Sequence, residues 1–158
     1  RTKMKTSSFF IIVLFGMLFV SCSSEKSIKE YMIDSWETSH LKIEMPTYQK
    51  SDSIYVFEDD FKNNPPRRAQ STYNNDGTFS AWYVNPENVK AGETNGKWSV
   101  KKDSLFIEYT YDGNTVKVGY FIEKTATGFQ GTSKSDWDND GENDDLLIMN
   151  TKRLKLEN

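Results

Sequence analysis

Residues 97–124 read KWSVKKDSLFIEYTYDGNTVKVGYFIEK, and this stretch decides the fold. Leu105, Ile107, Tyr109 and Tyr111 recur at every second position. After Asp112-Gly113-Asn114 the same period returns in Val116, Val118, Tyr120 and Ile122. Alternate residues of a strand face opposite sides, so period-2 runs joined by a Gly-containing tight turn read as a β-hairpin. Lys102-Asp103 is a second tight turn behind it. Trp98 and Val100 begin the strand before that turn.

Working outward, the pattern repeats. A run at 68–74 meets Asn75-Asp76-Gly77 and turns into Phe79, Ala81 and Tyr83. Asn85 to Glu93 reads as a loop. Thr127-Gly128 turns into 129–135, and the last strand runs from Leu146 to about Leu156. Near the front, Leu41, Ile43 and Met45 alternate with Lys42 and Glu44, and Pro46 ends that strand. Ser27-Ile28-Lys29-Glu30 has capping-box form, which predicts a short helix over 28–33. Ile54 to Phe61 fits either a helical turn or a short strand. Glu58-Asp59-Asp60 reads as a solvated helix face, and Arg67-Arg68 after two prolines as surface, with anion binding as the lesser alternative.

About eight strands with short turns make sequential neighbours antiparallel. The expected fold class is all-β: an antiparallel up-and-down meander or barrel with a short N-terminal helix. In order and spacing, several segments resemble the lipocalin-like domain of bacterial lipoproteins. They are Trp36, Tyr73-Asn74-Asn75-Asp76-Gly77-Thr78-Phe79, Gly96-Lys97-Trp98-Ser99-Val100 with Asp103-Ser104-Leu105, and Lys152-Arg153-Leu154. The likeness covers roughly residues 28–156, within an expected domain 28–158. Asp34-Ser35-Trp36 lacks the glycine that classical lipocalins place two residues before this tryptophan. The resemblance implies a small barrel closed at one end by Arg153 stacked over Trp36.

The first residues carry a different message. Arg1, Lys3 and Lys5 precede a 12-residue apolar run, Phe9 to Val20. Spanning a bilayer takes about 20 such residues, so this run has signal-peptide length. Phe19-Val20-Ser21-Cys22 resembles a bacterial lipobox, with Phe19 where Leu is usual. The expectation is a signal peptide over 1–21, lipidation of Cys22 and a short tether over 22–27. The resemblance implies a diacylglyceryl thioether and an N-acyl chain such as palmitate. Localisation would be the cell envelope, anchored at the outer membrane on its periplasmic or surface face.

Charge and composition exclude other classes. The 20 basic residues include Arg1, Lys3 and Lys5, leaving 17 against 23 acids in residues 22–158. A net acidic domain without a basic stripe argues against nucleic acid. Cys22 is the sole cysteine, so no intrachain disulfide forms. His40 is the sole histidine, so a histidine-built zinc site is excluded. No nucleophile elbow or phosphate loop accompanies it, and no enzyme is expected.

Two features are candidates for recognition. Phe79, Tyr83, Trp98, Tyr109, Tyr120 and Phe129 are the inward aromatics. They line a pocket for a small apolar or amphipathic ligand, or they fill the barrel and leave a structural or protein-interaction lipoprotein. The second feature is Asp136-Trp137-Asp138-Asn139-Asp140-Gly141-Glu142-Asn143-Asp144-Asp145, with six acids in ten residues. Its D-x-D-x-D-G start matches the front of an EF-hand loop, but Leu147 stands where the bidentate Glu belongs. The flanks read as strands. The expectation is a hairpin-type calcium loop using Asp136, Asp138, Asp140 and Asp144, or else a solvated acidic turn.

Overall fold

A computed structural model describes residues 27–63, 66–111 and 113–154. The chain forms helix α1 (Ile28–Met32), then strands β1 (Asp34–Met45), β2 (Tyr55–Asp59), β3 (Arg68–Tyr73), β4 (Thr78–Val84), β5 (Lys90–Lys101), β6 (Ser104–Tyr111), β7 (Asn114–Lys124), β8 (Gly128–Ser135) and β9 (Asp145–Arg153). Neighbouring strands from β3 to β9 pair in sequence order, all antiparallel. β1 joins β3 on one edge and β9 on the other. The result is a closed eight-stranded barrel with one extra strand, β2. Cys22 and the 1–21 and 22–26 segments lie outside the described residues. No described helix is long and apolar enough to cross a membrane.

The ambiguous 54–61 stretch resolves as strand, which corrects the helix-face reading of Glu58-Asp59-Asp60. β1 is long enough for two partners on one edge: Asp34–Thr38 pair with β3, and Leu41–Met45 pair with β2. Glu58 bonds His40 at 2.7 Å, and Asp59 pairs with Arg67. The loop expected over 85–93 is shorter than the sequence suggested. Asn85 and Asn88 close it by a backbone bond of 3.0 Å, and β5 already begins at Lys90.

One end of the barrel is shut. Ser27 caps α1 by accepting from the Glu30 N–H, and the Glu30 carboxylate accepts from the Ser27 N–H. This box fixes the short helix across the barrel end, where Met32 is fully buried. The Trp36 indole N–H donates to the Met32 carbonyl at 3.0 Å. Phe129 meets Trp36 edge-on at 4.9 Å. Trp36, Met32, Leu105, Trp98, Tyr73 and Phe129 form the packed core at this end. Two turns seal it further. The Trp98 N–H donates to the Gly77 carbonyl at 2.8 Å, and the Arg153 N–H to the Thr127 carbonyl at 2.9 Å.

Two of the positions that demand glycine show the two reasons for it. A Cβ built at Gly96 would sit 2.2 Å from the Glu108 carbonyl oxygen of the neighbouring strand. Gly77 closes the β3–β4 turn at a φ of 85°, in the left-handed region open to glycine.

Candidate functional site

Above the packed end, the barrel holds a cavity of about 300 Å³. That is the lower bound of ordinary small-molecule pockets. Phe79, Tyr83, Tyr109, Tyr120 and Phe129, all inward candidates from sequence, line it. Trp98 does not. It has the expected inward parity but lies deeper, edge-on to Tyr73 at 5.5 Å, and donates its indole N–H to the Asn74 carbonyl at 2.9 Å. Parity fixes which way a strand residue points, not how far along the barrel axis it sits. The register places Trp98 beside the β3–β4 turn, where it fills the closed end.

The cavity opens at the far end. Tyr111 and Tyr83, at that rim, are 67% and 43% exposed, whereas Tyr73 near the floor is 3% exposed. Tyr73, Ile107, Tyr111 and Met149 are lining residues the sequence reading missed. For Tyr73 the signal was weak: Ala69, Ser71 and Thr72 around it give β3 no apolar alternation.

None of the described residues lining the cavity is charged. Its polar groups are hydroxyls and one amide. Burial pushes the Tyr73 phenol well above the usual tyrosine range, with Tyr120 beside it adding to the shift and Ser71 opposing it. Burial, then neighbouring Tyr109, does the same to Tyr120. Burial likewise raises Tyr109. These phenols therefore stay neutral and serve as hydrogen-bonding groups on apolar rings.

Arg67, read from sequence as surface, is half-buried at the rim. It continues by parity the inward row Tyr73, Ser71, Ala69. Its guanidinium lies 4.9 Å from the Tyr83 ring centre and 5.8 Å from that of Phe61. Nη2 donates to Asp59 at 2.8 Å. Its Nε–H is buried and meets no acceptor among the described residues.

At the closed end the structure brings Arg153 over Trp36, with Cζ 4.3 Å from the ring centre. Arg153 also pairs with Asp34 and donates to the Tyr31 carbonyl at 3.2 Å.

The acidic loop departs from the expected ligand set. Oxygens of Asp136, Asp138 and Asp145 lie within 4.8 Å of one another. Asp140 and Asp144 instead turn towards Thr47, whose hydroxyl donates to Asp144 at 3.1 Å. Asp145, absent from the sequence-derived set, is fully buried and accepts from the N–H groups of Trp137 and Asp138. Asp136 accepts from those of Asp140 and Gly141. Asp138 accepts from those of Gln49 and Asp140. These bonds account for the cluster as a turn that folds on its own carboxylates.

Compared with known proteins, the chain matches no family model, no curated protein and no solved structure.

Proposed function

We propose that this chain is a membrane-anchored lipoprotein of the cell envelope whose barrel, lipocalin-like as its sequence resembles, binds a small apolar or amphipathic ligand. One observation carries the binding half: a neutral, aromatic cavity of about 300 Å³ inside a closed barrel, shut at one end and open at the other. Burying a ring or chain there removes apolar surface from water at roughly 25 cal/mol per Å². The phenol groups supply orientation without charge. The alternative, a filled barrel acting only through its outer surface, does not use this space. The anchoring half rests on the sequence pattern ending at Cys22.

Native mass spectrometry of the full chain, extracted from membranes in mild detergent, tests the reading. The expected spectrum shows the acylated protein plus a co-purified small molecule. Replacing both Ala69 and Ala81, small residues of the lining, with Trp takes up most of the cavity and should abolish the second peak and keep the first. A spectrum of acylated protein alone, even after adding candidate apolar compounds, would remove the binding half. An unmodified Cys22 would remove the anchoring half.

A further inference from the structure

We propose that the ligand is an amphipathic anion, with its apolar body in the aromatic cavity and its anionic head at the rim beside Arg67. This deepens the binding reading above and rests on it. The chemistry of two pockets that flank the end of β4 carries it. The first, the barrel cavity, has no charged lining among the described residues, so a charged group buried inside it would be unpaired and strongly disfavoured. The ligand part inside must be neutral.

The second is a cleft of about 320 Å³ just outside. Among the described residues its lining includes Lys62, Arg67 and Arg68 and no acid. The two share no described lining residue and lie on either side of the end of β4. Tyr83 lines the cavity and carries the Arg67 guanidinium on its ring, and the next residue, Val84, lines the cleft.

Arg67 is held in place before any ligand arrives. Its N–H donates to the Phe61 carbonyl at 3.0 Å, the Phe61 N–H donates to Asp59 at 2.7 Å, and Asp59 takes one guanidinium nitrogen. Two aromatic rings flank the group. Asp59 uses only part of its donor set. The side chain is 38% exposed, so the guanidinium keeps donors that an incoming head can reach, while its buried Nε–H has no acceptor among the described residues. A carboxylate or phosphate head is the acceptor that matches a fixed guanidinium best. Asp59 pairs with Arg67 and Asp60 with Lys62, so Arg68, bonded to the neutral Asn88 amide, leaves the described charges here one positive in balance.

The test uses four probes with one ten-carbon chain: decanoate, decyl phosphate, decanol and decyltrimethylammonium. They are titrated by calorimetry into the full chain held in lipid nanodiscs, with empty nanodiscs as the blank. Both anions should bind about tenfold more tightly than decanol, and their ratio tells carboxylate from phosphate. Arg67→Gln should remove that advantage, bringing both anions to the affinity of decanol for the same variant. Should Arg67→Gln not fold, the double variant Lys62→Gln/Arg68→Gln makes the same test, since it lowers the positive field while keeping the Arg67–Asp59 pair. Decanol or the trimethylammonium probe binding as tightly as the anions would overturn the anion assignment and leave the cavity reading standing. Failure of all four probes would count against the cavity reading itself.

Discussion

Arg153 lies over Trp36, Cζ 4.3 Å from the ring centre, while its guanidinium pairs with Asp34 two residues before that tryptophan. The last described strand is thereby clamped to the first, at the point where β1 and β9 close the barrel. Tyr31 makes the third contact, 5.0 Å away on α1, so a single side chain ties helix, first strand and last strand together.

Removing that side chain should open the seam. A guanidinium over indole contributes about 0.5–2 kcal/mol, and the half-exposed ion pair adds less than a buried one would. Arg153→Ala is expected to lose about 1–3 kcal/mol in urea unfolding. Arg153→Lys should recover less than half, because an ammonium cannot stack as a plane. Full recovery by lysine would show that charge alone matters here.

Gly96 permits β5 and β6 to approach. With a Cβ only 2.2 Å from the Glu108 carbonyl, Gly96→Ala must push the strands apart. Overpacking of this kind costs about 3 kcal/mol, and a melting temperature lower by on the order of 10 °C is expected. An unchanged melting temperature would mean the strands separate freely.

The cavity phenols predict an alkaline limit. Tyr73 and Tyr120 titrate above the ordinary value of 10.0 in the folded protein. Below the unfolded value both states hold the proton, and the folded state's advantage is complete. As pH rises past about 10, the unfolded chain releases protons that the folded chain keeps, so stability falls. Urea midpoints measured from pH 8 to 11 should drop on the alkaline side, and Tyr73→Phe with Tyr120→Phe should flatten that limb. Parallel slopes in parent and variant would refute the assignment.

Asp145 organises the acidic loop. It is 1% exposed and accepts two backbone N–H groups. Asp145→Ala leaves both without their acceptor, at a cost of about 2–4 kcal/mol. Asp136→Ala, in a more open position, should cost less. The comparison is read from thermal melts of the two variants beside the parent.

Much of this architecture was legible because tight turns and period-2 runs report local geometry. The hairpin over residues 97–124 forms where its sequence places it. What escaped depended on distant pairing. β2 was ambiguous because Ile54-Tyr55-Val56-Phe57 is a continuous apolar run, and only the length of β1 provides it a partner edge. Trp98 had the right face but the wrong depth. Asp145 was passed over because the motif counts spacing, whereas burial at the start of β9 selects the oxygens that converge. Arg67 was read as surface because nothing near it in sequence reveals Tyr83 and Phe61 beneath it.

The shut end of the barrel carries one more consequence. Ser27 and Leu154 both lie there, because α1 crosses that end and the Leu154 N–H donates to the Ser35 carbonyl. Under the proposed anchoring, the five residue-to-residue steps from Cys22 to Ser27 reach at most about 18 Å. The floor would then rest near the bilayer and the mouth would point outward. Cargo would be loaded and unloaded from the aqueous side, a cup standing on the membrane rather than a drain set into it.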